Sequence, residues 1–82
     1  MVNVYFHPKF RQKFGKLKDS VFIVRVKKQI KKILKNPCVG KPMRNVRNGT
    51  REIYISSFRL SYAFIESENK LILLDLYHKD QQ

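Results

Sequence analysis

Hydrophobic and polar positions alternate most cleanly in residues 57–79. Phe58, Leu60, Tyr62 and Phe64 share one parity; Arg59, Ser61 and Ala63 share the other. Successive strand side chains point to opposite faces, so this arm has an apolar face and a face carrying one arginine. The polar stretch Glu66-Ser67-Glu68-Asn69 then leads to a second arm, the apolar run Leu71-Ile72-Leu73-Leu74 ending in Tyr77-His78-Lys79. Two strand-like runs joined by a short polar turn predict a β-hairpin.

Upstream, residues 50–56 also alternate, with Arg51, Ile53 and Ile55 on one face and Glu52 and Tyr54 on the other. The polar pair Ser56-Ser57 makes the turn between this strand and the hairpin. Residues 2–6 (VNVYF) are β-branched and aromatic, which predicts a short first strand. Pro8 suits the first turn of a helix, and Phe10, Phe14 and Leu17 recur at helical spacing. Asp19 or Ser20 is the expected N-cap of a second helix with the stripe Ile23, Val26, Ile30, Ile33 and Leu34. Asn36-Pro37 ends it, because the residue before proline is pushed out of the helical region. Residues 38–49 hold Gly40, Pro42 and Asn48-Gly49 and are expected to be a loop.

The predicted order is β-α-α-β-β-β. It implies an α+β fold in which a helical hairpin covers one face of a four-stranded, mainly antiparallel sheet and the other face stays open. Ile23, Val26, Ile30, Ile33, Leu60, Tyr62 and Leu73 are the expected core. At 82 residues the chain has room for one domain, residues 1–82.

Composition changes the picture through charge. Eighteen Lys and Arg against six Asp and Glu give a formal net charge of +12. The imbalance lies almost wholly before Glu52, where Asp19 is the lone acid. Such a field favours a polyanionic partner, nucleic acid first. The single cysteine, Cys38, excludes an internal disulfide, and no His/Cys cluster has zinc spacing. No metal or other cofactor is expected. No apolar run approaches the roughly 20 residues that span a bilayer, and residues 1–19 lack the apolar core of a secretion signal. A cytoplasmic location without membrane association is expected.

The candidate chemistry sits on the hairpin. Arg59 in mid-strand and His78-Lys79 at the end of the neighbouring strand are expected to converge on one patch able to hold a phosphate and move a proton. Tyr54 is placed to stack on a base. Lys28, Lys32 and Lys35 on the second helix, with Lys41, Arg44, Arg47 and Arg51 downstream, form a diffuse set for RNA phosphates.

The same residues carry a resemblance. The helix-ending Asn36-Pro37, the Gly40-Lys41-Pro42 loop, the lead-in Gly49-Thr50-Arg51 and the arginine strand Phe58-Arg59-Leu60-Ser61-Tyr62, in this order, resemble the RelE/ParE superfamily of toxins from type II toxin–antitoxin pairs. The likeness runs nearly end to end, and the terminal Tyr77-His78 draws it toward the RelE and YoeB branches. The resemblance implies a ribosome-dependent mRNA endoribonuclease, a metal-independent mRNA interferase that inhibits translation. It also implies three partners: the ribosome, mRNA and a cognate acidic antitoxin. It implies that Arg59 binds the scissile phosphate, that His78 is the general acid and that Lys79 steadies the phosphate. RelE has two lysines where this chain has Glu52 and Tyr54, and the residues after the Gly-Lys-Pro loop do not supply YoeB's glutamate. The general base is therefore left to Glu52 or Tyr54. Two other functions stay open on this fold: a ParE-like inhibitor of DNA gyrase, which needs no proton donor, and a catalytically decayed RNA-binding member.

Overall fold

The computed structural model describes residues 2–42 and 49–81. Strand β1 (Asn3–Phe6) leads into helix α1 (Pro8–Gly15) and helix α2 (Ser20–Lys35). Strands β2 (Lys41–Pro42), β3 (Thr50–Ile55), β4 (Phe58–Ile65) and β5 (Lys70–His78) follow. Short 3-10 turns occupy Glu66–Glu68 and Lys79–Gln81. Both helix starts use local chemistry: the His7 imidazole accepts from the Lys9 N–H, and the Asp19 carboxylate accepts from Val21 and Phe22.

The sheet order is β1-β5-β4-β3-β2; β1 runs parallel to β5 and the other pairs are antiparallel. The expected α+β class, with helices on a mainly antiparallel sheet, is the observed one. The strand number differs. Lys41 and Pro42 pair with Glu52 and Arg51, so the sheet has five strands rather than four, and part of the expected loop is an edge strand. Two residues are too few to leave a periodic signature, and proline is tolerated at a sheet edge.

The core lies between the helices and the apolar face of the sheet. Phe10, Val26, Ile33, Leu60, Tyr62, Leu71 and Leu73 are buried, with Ile30, Phe14 and Phe22 packed against them. Of the expected core, Ile23 stays partly exposed. Tyr62 ties this core to the segment after α2. Its hydroxyl donates to the Pro37 carbonyl (2.8 Å) and accepts from the Gly40 N–H (2.9 Å). A methyl group on Gly40 would come within 2.7 Å of that hydroxyl, so glycine is the residue that fits. Arg51, cross-strand partner of Tyr62, donates to the carbonyls of Cys38 and Gly40. Burial pushes the Tyr62 phenol up from its ordinary value, against the opposing pull of the Gly40 hydrogen bond and Arg51.

One irregularity decides the other face. Ser61 pairs with Asp75 but Tyr62 pairs with Leu73, so Leu74 is an extra residue in β5. Such a bulge reverses the alternation beyond it. Leu71 and Leu73 face the helices, and after the bulge Leu76 and His78 do so, while Asp75 and Tyr77 turn to the open face.

No helix among the described residues is long and apolar enough to cross a membrane.

Candidate functional site on the open face

Cross-strand register gathers Tyr54, Arg59 and Tyr77 in one row across β3, β4 and β5, with Glu52, Ser61 and Asp75 in the next row. The Arg59 guanidinium lies over the Tyr54 ring, 3.8 Å from its centre, and donates to the Phe58 carbonyl. This is cation–π stacking geometry, which holds the planar fork in place. Lys41, opposite Glu52 on β2, brings its ammonium to 5.1 Å from the same ring. Tyr54 itself is 47% exposed, so the stacked pair is open to a ligand.

Glu52 is held from the far strand. The Tyr77 hydroxyl donates to its carboxylate at 2.8 Å. Because β4 lies between β3 and β5, the phenol must cross β4 between Arg59 and Ser61, which accounts for the burial of Ser61 and Tyr77. Asp75 is engaged at the sheet edge by Lys13 (2.9 Å) and, at 3.7 Å, by Lys9, with only 13% of its side chain exposed. The open face therefore carries a fixed guanidinium on an aromatic platform, a second cation and an oriented carboxylate. Such a set can grip a phosphate, stack a base and accept a proton.

The sequence-predicted residues divide. Arg59, Tyr54, Glu52 and Lys41 come together. The expected convergence of Arg59 and His78 is not found: His78 pairs with Phe58 on the helix side of the sheet, and the bulge at Leu74 is the cause. There its imidazole meets the Phe58 ring edge-on at 5.3 Å, accepts from the Asp80 N–H and lies 3.4 Å from the Asp80 carboxylate. It lines a separate groove of about 470 Å³ with Asp19, Phe22, Arg25 and Ser56. Lys79 lies past the end of β5, its N–H bonded to the Ser57 carbonyl. Arg51 is committed to loop carbonyls on the helix side. Lys28, Lys32 and Lys35 are exposed on α2. Arg44 and Arg47 lie outside the described residues. Sequence reasoning missed Tyr77 as part of the site, since its facing depends on the bulge.

The family model described as "ParE toxin of type II toxin-antitoxin system, parDE" matches residues 4–82. No curated protein matches the sequence significantly. Among solved structures, a toxin from Agrobacterium tumefaciens described as YoeB/ParE is similar with a TM-score of 0.84 at 13% identity, covering 94% of this chain and 98% of that one. The intact Escherichia coli RelBE toxin–antitoxin complex is similar with a TM-score of 0.80 at 18% identity, over 95% and 96% of the two chains. The Staphylococcus aureus YoeB–YefM complex is similar with a TM-score of 0.79 at 14% identity, over 95% and 97%.

Proposed function

The chain belongs to the ParE toxin family of type II toxin–antitoxin systems, within the RelE/ParE superfamily, and from that premise we propose that it is a ribosome-dependent mRNA endoribonuclease working from the open face of its sheet. The observation that carries this reading is the Arg59 guanidinium stacked on Tyr54 beside the Glu52–Tyr77 pair. RNA brings its own nucleophile, the ribose 2′-hydroxyl. Arg59 grips the scissile phosphate and absorbs the charge that builds on it. Glu52, oriented by Tyr77, takes the 2′-hydroxyl proton as the new bond to phosphorus forms and the bond to the 5′ oxygen breaks, the leaving oxygen taking its proton from solvent water. Tyr54 stacks on a neighbouring base and Lys41 holds an adjacent phosphate. In this geometry His78 is not the proton donor at the phosphate held by Arg59.

The exposed lysines of α2 supply the attraction to ribosomal RNA. The E. coli RelBE and S. aureus YoeB–YefM relatives are toxin–antitoxin complexes. By analogy, and because the net charge is +12, the partner proposed here is a cognate acidic antitoxin. Cleavage of ribosome-bound mRNA by the wild type, with loss in Arg59→Ala and Glu52→Gln, tests the catalytic reading.

One observation favours a second reading. With His78 on the reverse face, the described residues around Arg59 include no histidine to serve as general acid, which suits an inhibitor of DNA gyrase that binds protein and cuts nothing. Gyrase supercoiling in the presence of the protein separates the two.

A further inference from the structure

Beside the Arg59–Tyr54 platform, a cleft of about 270 Å³ opens where the chain leaving α2 crosses to β2. Gln29 and Lys32, one turn apart on α2, line one side; Val39 and Lys41 line the crossing; Ile53 and Tyr54 line the sheet side. Val39 and Ile53 are partly buried and packed on the core, so they form a fixed apolar wall. Gln29 is half-buried, whereas Lys32 and Lys41 are exposed. Tyr54 lines this cleft and also carries the Arg59 guanidinium, so the cleft adjoins the Arg59 stack at the edge of β3. Glu52 also lines the cleft, while its carboxylate reaches across β4 to accept from the Tyr77 hydroxyl.

The chemistry of the lining selects an occupant. A flat, largely apolar group fits against Val39 and Ile53, with Tyr54 at the edge of β3 beside it. The Gln29 amide offers a donor and an acceptor side by side, the pair that reads a nucleobase edge. Two lysines at the exposed end match the phosphates on either side of one nucleotide. We infer that this cleft is a base-reading subsite for the single-stranded RNA nucleotide next to the phosphate held by Arg59, with Gln29 as the specificity-determining residue. Adenine is the expected base, because its amino group and neighbouring ring nitrogen complement a glutamine amide. The inference rests on the RNA-directed reading above and adds which part of the chain senses sequence.

The test uses the full chain and four short RNAs of sequence UNU, with N each base in turn, followed by amide chemical shifts and by affinity at several salt concentrations. The wild type is expected to favour adenine by about fivefold or more, the discrimination expected of a good two-bond contact. Shifts should include the amides of Gln29, Val39 and Ile53. Gln29→Ala is expected to flatten the preference with the salt dependence unchanged. Lys32→Ala is expected to lower the salt slope by a little under one unit, the preference remaining. RNA binding that Arg59→Ala weakens, with the same base preference in Gln29→Ala as in the wild type, overturns the subsite and leaves the RNA-directed function standing. A glutamate-rich peptide that shifts the cleft amides as strongly as the RNAs do also overturns the base-reading assignment. No RNA binding at any salt concentration overturns the subsite, whereas the ribosome-dependent reading falls only if ribosome-bound mRNA is also left uncut.

Discussion

Arg59 and His78 stand on neighbouring strands but face opposite sides of the sheet, because β5 carries one residue, Leu74, that β4 does not match. Arg59 shares its face with Tyr77; His78 shares its face with Phe58 and packs toward the start of α2. The bulge thus chooses which of two adjacent side chains, Tyr77 or His78, joins the site.

Removing the extra residue should therefore leave the end of β5 facing as it does. With Leu74 deleted, Leu73 still pairs with Tyr62 and Asp75 with Ser61, now in unbroken alternation. Deletion of Leu76 instead turns Tyr77 toward the helices and His78 outward, and takes a buried leucine from the core. Loss of a buried leucine side chain alone costs roughly 2–5 kcal/mol. The Leu74 deletion is expected to keep its cooperative thermal transition and the Leu76 deletion to lose it. A Leu74 deletion without a cooperative melt in circular dichroism contradicts the role given to the bulge.

Tyr62 should show up in alkaline stability. Its raised phenol value means that the stabilisation is fully present below the ordinary tyrosine value of 10.0 and is lost as pH rises through the higher folded value. Tyr62→Phe leaves the Gly40 N–H and the Pro37 carbonyl without the hydroxyl, an expected cost of about 1–3 kcal/mol at neutral pH. Urea unfolding from neutral into alkaline solution checks both points. A variant with a wild-type midpoint and an equally steep alkaline decline rules them out.

Much of this architecture was legible in the sequence. The alternation in residues 58–64, the helical stripes and a cap at Asp19 or Ser20 each follow from local rules that the tertiary fold did not override, whereas the cap at His7 was not read. Placing Glu52, Tyr54 and Arg59 off the core needed only strand parity. The Leu74 bulge was not legible, since Leu71-Ile72-Leu73-Leu74 reads as an uninterrupted apolar run whichever residue is extra. That one ambiguity carried His78 to the wrong side of the expected site and hid Tyr77. The Lys41-Pro42 strand was invisible because two residues leave no alternating pattern to read. Arg51 looked like another RNA contact because charge alone does not reveal carbonyl partners.

Charge reversal at Lys28, Lys32 and Lys35 should weaken ribosome association and flatten its salt dependence, because each phosphate neutralised releases condensed counterions. The slope of log affinity against log salt is expected to fall by roughly two units if the three side chains contact single-stranded RNA phosphates. Sedimentation with ribosomes across a salt series measures it. Unchanged affinity and slope would show that the basic face of α2 only keeps the protein soluble.

An acidic chain encoded beside this one should relieve growth arrest and co-purify with it as the antitoxin. Such a chain can fold on binding and neutralise the toxin's field. Co-expression followed by affinity purification decides this: arrest that persists, with no complex recovered, removes that candidate.

The most direct test of the site is single-turnover cleavage of ribosome-bound mRNA by the wild type, Arg59→Ala and His78→Ala, each first shown to be folded. An open-face site predicts that Arg59→Ala slows cutting by about 10²-fold or more, the ordinary loss for a group that stabilises developing charge. It predicts that His78→Ala, altered on the reverse face, cuts within a few-fold of the wild type. A His78→Ala loss equal to or larger than that of Arg59→Ala contradicts the account. Absence of cutting by the wild type, together with inhibition of gyrase, assigns the protein to the second reading.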